Sequence, residues 1–172
     1  MLTDNYEKPK NYRRESLSMT AIAIVAVYIL WNIPALDIVL YPLKLFTTYI
    51  HEAGHAFATL ISGGEVVSFS VAFDGSGLTR RIGGADWLIG PAGYLGAALF
   101  GSGLFYLINR FPRLTNGVSV VLGVGMALFT IIFSGGNLLA LLLGVGFGMV
   151  MMALGLRAHP VITMLVLNVL AV

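Results

Sequence analysis

The sequence lacks cysteine altogether and is poor in charge, since only 10% of its 172 residues are Asp, Glu, Lys or Arg. The absence of cysteine excludes disulfides and thiolate metal sites. The low charge, set against 58% hydrophobic residues, excludes disorder, collagen-like repeats and an ordinary water-soluble fold. A net charge of +2, with no basic stripe interleaved with aromatics, argues against a nucleic-acid partner.

The sequence contains three long runs without charged residues. Residues 16–36, 87–109 and 114–156 contain no Asp, Glu, Lys or Arg. A bilayer core about 30 Å thick needs about 20 helical residues, so these runs are one, one and two spans long. The sequence therefore predicts an all-α polytopic membrane protein of about five to six transmembrane helices, with a small β-hairpin and with lipid as its surroundings.

We predict one membrane-embedded domain, residues 1–172, which consists of a tail, several apolar helices and a hairpin. The predicted segments are a cytoplasmic tail at 1–16, a first span at 17–33, an apolar helix at 43–61, a β-hairpin at 65–81, a span at 87–108 and two crossings within 114–156 that divide at 134–137. The hairpin is predicted because Val67, Phe69, Val71 and Phe73 alternate with Val66, Ser68, Ser70 and Ala72, and because Asp74-Gly75-Ser76-Gly77 is typical of a turn.

The basic residues favour a cytoplasmic N-terminus. That orientation places Lys8, Lys10, Arg13, Arg14, Arg80 and Arg81 inside, and Lys44, Arg110, Arg113 and Arg157 outside. No small-residue cleavage site follows the N-terminal basic cluster, so we expect an uncleaved first span.

An H-E-x-x-H motif, His51-Glu52-Ala53-Gly54-His55, lies inside the apolar helix at 43–61. Residues four apart on a helix share one face, so His51 and His55 can hold one Zn²⁺ per chain. Glu52 lies beside the metal, where it can act as general base toward a zinc-activated water and then donate a proton to the leaving amine. This motif predicts a metal centre.

The alternative is that these three residues form a polar contact with a neighbouring helix. With three histidines in the chain, random placement gives the motif about once per thousand such chains, so chance is a poor explanation. Ionisable groups at membrane depth cost about 2.5–3.5 kcal/mol each, which also favours a functional site. The hairpin that follows could offer a strand edge to an unwound substrate, or could be a plain connection at the membrane surface.

The motif, the Gly-rich hairpin and the Gly90-Pro91-Ala92-Gly93 opening of the next span together resemble the site-2 protease family of intramembrane zinc metalloproteases. The resemblance is specific over residues 45–105 and is greatest to the short bacterial and plant branch without PDZ domains. It implies His51 and His55 as zinc ligands, Glu52 as the catalytic acid and base, and membrane-anchored protein substrates. It also implies a multi-pass protein, which we expect in a bacterial plasma membrane.

The family completes its zinc site with an Asp on a later helix, in an N-x-x-P-x-x-x-x-D-G-like context that this sequence does not contain. Asp37, Asp74 and Asp86 all lie at predicted span ends or turns. Residues 161–172 would reach only about 18 Å as a helix. We expect either a partial helix there or a chain that continues beyond Val172, where the third ligand would lie.

Two other functions fit the same residues. A catalytically inactive relative could act as a membrane interaction or chaperone-like protein, as the missing third ligand favours, although such a protein has no use for Glu52 as a base. A small transporter or channel could use the buried His and Glu for ion passage, but the spans after residue 87 carry no charge within them. Neither the substrate nor the oligomeric state follows from the sequence.

Overall fold

The computed structural model describes residues 37–171 without a gap, and before them residues 18, 21–22, 24–26, 28–29 and 32–33. The elements from residue 37 onward are α1 (Asp37–Ile61), β1 (Glu65–Val71), β2 (Gly77–Ile82), α2 (Asp86–Arg110), a 3₁₀ turn (Pro112–Leu114), α3 (Thr115–Phe133), α4 (Leu138–Arg157) and α5 (Pro160–Ala171). The predicted tail at 1–16 lies outside the described residues, and so does most of the predicted first span.

Helix α1 begins at Asp37, six residues before the predicted start at 43, and it contains Pro42 near its N-terminus. The predicted first span ends at residue 33, and no element is predicted for residues 34–42. Pro42 is the sixth residue of this helix, so it removes one hydrogen bond near the helix start, to the Ile38 carbonyl, and leaves the bonds of the later turns in place. Helix α1 therefore starts before its proline and carries the H-E-x-x-H motif in its second half.

The predicted hairpin is confirmed as an antiparallel pair of strands, and it lies along the length of α1. The Tyr41 hydroxyl donates to the Phe73 carbonyl near the turn, and Thr48 Oγ1 donates to the Gly75 carbonyl at 2.8 Å. Farther along, Thr79 Oγ1 contacts Glu52. The hairpin is thus fixed against the metal-motif helix at several levels, which a loose surface connection would not be.

Strand β1 points its apolar side chains into the bundle, with one interruption. Phe69 and Val71 are buried beside Tyr49 of α1. The pairing register shifts between Val66 and Ser68, so Val66 turns inward while Val67 is 49% exposed. A bulge of this kind breaks the two-residue alternation, and the predicted grouping of Val67 with Phe69 is therefore wrong.

The helices pack closely against one another where their residues are small. A Cβ on Gly96 of α2 would lie 3.0 Å from the Cα of Gly54 in α1, so these helices cross almost backbone to backbone. Gly123 of α3 likewise faces Gly148 of α4. Small residues at such crossings permit dense van der Waals packing. In lipid this packing holds helices together, because the hydrophobic effect does not drive them to associate.

Three described helical segments are long and apolar enough to cross a bilayer, namely Asp86–Arg110, Pro112–Phe133 and Leu138–Arg157, and Pro160–Ala171 is a shorter apolar helix. The two segments predicted within 114–156 are present as helices α3 and α4, divided at Ser134–Asn137, and each is long and apolar enough to cross a bilayer. Helix α1 falls outside this set because Lys44 and the motif residues lower its hydropathy. The count of about five to six spans therefore stays a prediction.

Candidate metal centre

Helix periodicity brings His51 and His55 together, one turn apart on α1. Their Nε2 atoms lie 3.1 Å from each other, and the two rings meet edge to face. Two nitrogens that each bind a tetrahedral zinc at about 2.0–2.1 Å are about 3.3 Å apart. The pair is therefore already spaced to hold one metal ion.

The backbone of α2 orients one of these imidazoles. His55 Nδ1 lies 2.8 Å from the carbonyl oxygen of Ile89. A carbonyl oxygen can only accept, so Nδ1 carries the proton and donates it, which leaves Nε2 with a free lone pair. Metal-binding histidines commonly make this second hydrogen bond, because it fixes both the tautomer and the ring.

Glu52 completes a group of three possible ligands. One ligand atom from each of His51, Glu52 and His55 falls within 4.8 Å of the other two. The side chain of Glu52 is only 7% exposed, and its Oε2 accepts a hydrogen bond of 2.7 Å from Thr79 Oγ1. A buried carboxylate beside two imidazoles is suited to holding a cation or to accepting a proton from water.

Two glycines leave the space that this group needs. A Cβ on Gly93 of α2 would lie 2.6 Å from His55 Nε2 and would overlap His51 Nε2. A Cβ on Gly77 of β2 would lie 2.5 Å from Glu52 Cγ and 2.9 Å from its Oε1. The open space above the imidazole nitrogens is thus made by α2, and the space beside the carboxylate by β2.

A cavity of about 420 Å³ opens beside the site. It is lined by Glu52, His55, Gly77, Leu78, Thr79, Arg81, Asp86, Ile89 and Gly90. Arg81 and Asp86 form an ion pair at its edge. The cavity therefore lies between the motif face of α1, strand β2 and the first turns of α2, and it leaves room for water beside Glu52.

Of the other acidic candidates, Asp74 and Asp86 do not join the group, and the side chain of Asp37 lies outside the part of the chain that the structure describes. Asp74 lies in the hairpin turn, as predicted, where its Oδ1 accepts from the Ser76 hydroxyl at 2.7 Å and from the Ser76 N–H at 2.9 Å. These hydrogen bonds, that from the hydroxyl first, hold the pKa of Asp74 below its ordinary value. Asp86 begins α2 and pairs with Arg81.

Three features of the site were not found by the sequence analysis. Gly77 and Thr79 of β2 touch Glu52, and the ring of Tyr94 meets His51 edge to face with centroids 4.6 Å apart. The two-residue repeat of a strand places Gly77, Thr79 and Arg81 on one face, which is the pattern that could have found the first two. Tyr94 follows Gly93 in α2 and carried no separate signal.

Comparison with known families gives one match. The family model described as Peptidase M50B-like matches residues 19–172, which is most of the chain. Compared with curated proteins and with solved structures, the chain has no significant match. The family match agrees with the predicted resemblance to site-2 proteases and, with three apolar helices long enough to span a bilayer, indicates a membrane protein. This chain belongs to the Peptidase M50B-like family.

Proposed function

We propose that this protein is a zinc-dependent intramembrane endopeptidase that cleaves membrane-anchored proteins. The observation that carries the proposal is the convergence of the His51 and His55 Nε2 atoms beside the buried carboxylate of Glu52, at the edge of a cavity. The family match to peptidases supports it. His51 and His55 would hold one Zn²⁺ per chain, with Glu52 as general base.

When bound, the zinc ion would supply a Lewis acid that lowers the pKa of water and polarises a peptide carbonyl. Glu52 accepts the proton that water loses as its oxygen bonds to the carbonyl carbon. The same carboxyl group then gives this proton to the amide nitrogen as the C–N bond breaks. The Ile89 carbonyl keeps the His55 ring oriented throughout, because it holds the Nδ1 proton.

Substrate binding would use the edge of β2. A transmembrane substrate starts as a helix with its amides satisfied, so it must unwind before a peptide bond can react. Among the described strands, β2 is paired with β1 along one edge only, and β2 residues line the cavity that holds Glu52 and His55. We propose that the unwound segment adds to β2 as a further strand, which presents its backbone to the site.

The experiment combines metal content with cleavage of one reporter. The reporter is a single-span protein whose apolar segment carries an Asn-Gly pair at its centre, placed in lipid vesicles with the purified chain. We expect one zinc per chain and cleavage in the wild type, zinc without cleavage in Glu52→Gln, and loss of both in His51→Ala and His55→Ala. His159→Ala is the matched control, because this histidine lies between α4 and α5 and away from the group.

One observation favours a second candidate, the catalytically inactive relative. No described aspartate joins His51, Glu52 and His55, whereas catalytic zinc normally has three protein ligands. The same experiment separates the two. A folded wild type that holds zinc and leaves the reporter intact indicates the inactive relative. A folded wild type without zinc contradicts the endopeptidase and leaves the inactive relative.

A further inference from the structure

Glu52 accepts hydrogen bonds from a residue of strand β2. Thr79 Oγ1 lies 2.7 Å from Glu52 Oε2 and 3.0 Å from the Glu52 backbone oxygen. Both of those oxygens accept, so the single hydroxyl proton of Thr79 is donated toward Glu52. Because the bond to the carboxylate is the shorter one and its acceptor is an acidic oxygen, it is the stronger of the two.

The rest of β2 limits where the carboxylate can go. Gly77 lies two residues before Thr79 on the same face of the strand, and a side chain there would collide with Glu52 Cγ. The absence of a side chain at Gly77 therefore leaves space beside Oε1, while Thr79 holds Oε2. The two carboxylate oxygens are in this way made different, with one held by the protein and the other left for water.

The strand itself is anchored independently of Glu52. Thr79 is paired across the sheet with Phe69, which is fully buried. The ring centroids of Phe69 and Tyr49 are 4.9 Å apart. The Thr79 hydroxyl is thus presented from a fixed support, which a hydrogen bond needs if it is to restrict a flexible Glu side chain.

From these contacts we propose that Thr79 is the positioning residue of the general base: it holds Glu52 Oε2 so that Oε1 faces the cavity. The proposal rests on the proposed function for its consequence in catalysis. It assigns the hairpin a second task, since β2 would orient the base with its inner face while its edge receives the substrate. In this scheme the Thr79 hydroxyl takes part in the reaction only through Glu52.

The test uses three variants of the full chain. Thr79→Val keeps the shape and removes the hydroxyl, and Thr79→Ser keeps the hydroxyl and removes the methyl group. Thr48→Val is the matched control, because it removes another hydroxyl bond between α1 and the hairpin without touching the Glu52 carboxylate. For reporter cleavage we expect Thr79→Val to lower kcat about 10- to 100-fold with KM within about threefold, and the other two variants to stay within about threefold of wild type.

A second readout does not depend on activity. In the infrared spectrum of protein labelled with ¹³C-glutamate, the carboxylate band that Glu52→Gln removes belongs to Glu52. We expect that band to shift in Thr79→Val and to stay in place in Thr79→Ser and Thr48→Val. An unmoved band in Thr79→Val overturns the proposal, whether or not the reporter is cleaved.

The remaining outcomes are also decisive. A shifted band with unchanged kcat overturns the positioning role, because Glu52 would then not need Thr79 for the reaction. Equal losses of kcat in Thr79→Val and Thr79→Ser overturn it as well, because the loss would then not depend on whether the hydroxyl is present. If the wild type itself cleaves nothing, the failure belongs to the proposed endopeptidase activity, and the infrared band alone decides whether Thr79 holds Glu52.

Discussion

Gly93 of α2 lies directly against His55 of the metal motif: a Cβ at this position would be 2.6 Å from the Nε2 atom of His55. The same Cβ would overlap Nε2 of His51. Both atoms are at the ends of side chains, so the imidazoles would turn aside while the backbone kept its place. A substitution at Gly93 can therefore disturb the metal site while the fold stays intact.

The first prediction concerns this glycine. Gly93→Ala should weaken zinc binding about 10-fold or more, a size typical of changes beside metal ligands, with little loss of thermal stability. Zinc titration with a competing chelator in detergent measures the affinity. Gly103→Ala is the control in the same helix, because a Cβ there meets nothing within 4 Å. Unchanged affinity in Gly93→Ala would mean that the metal does not lie between the two Nε2 atoms.

The second prediction concerns the contact between α3 and α4. A Cβ on Gly123 would overlap the carbonyl oxygen of Gly148 and lie 2.9 Å from the backbone nitrogen of Met152. Backbone atoms cannot turn aside, so Gly123→Ala should force the helices apart and lower the free energy of unfolding by about 1–3 kcal/mol. Gly125→Ala, two residues later with nothing within 4 Å, should change it little. Denaturant titration in detergent compares the two, and equal stabilities would contradict the close crossing.

The third prediction concerns orientation, and the absence of cysteine makes it simple to test. Leu138 and His159 lie at opposite ends of α4, and both are exposed. With a cytoplasmic N-terminus, a membrane-impermeant maleimide should label His159→Cys in intact cells and Leu138→Cys only after the membrane is opened. The reverse pattern would place the N-terminus outside.

The fourth prediction concerns the hairpin turn. Ser76→Ala removes the hydroxyl bond that lowers the pKa of Asp74 most, so the pKa of Asp74 should rise toward its ordinary value. Because the folded-state pKa is depressed, the contribution of Asp74 to stability is present above its unfolded pKa and is lost as the pH falls through the folded one. NMR titration of ¹³C-labelled aspartate, assigned with Asp74→Asn, measures the shift. An identical titration in both proteins would mean that the turn bond does not form.

Some features followed from the sequence because they depend on local rules. The four-residue spacing of His51 and His55 is enough to place both imidazoles on one helix face, whatever surrounds that helix. The alternation around Phe69 and the turn at Asp74 similarly predicted the hairpin. The uncharged run at 114–156 gave α3 and α4, because in lipid an apolar segment of that length has few alternatives to helix.

Other features depend on contacts between residues far apart in the chain, which no local pattern carries. The bulge that exposes Val67 and the early start of α1 were not predicted.

The sequence by itself thus determined that this is a membrane protein with a pair of imidazoles and a carboxylate on one helix, because composition and helical period act locally. Only the tertiary structure decided how that motif is completed. The fold brings the Ile89 carbonyl to His55 and the hydroxyl of Thr79 to Glu52. It also places Gly93, which has no side chain, against the two imidazoles. Each of these contacts is set by how α2 and the hairpin pack against α1, and packing of that kind is a property of the whole chain.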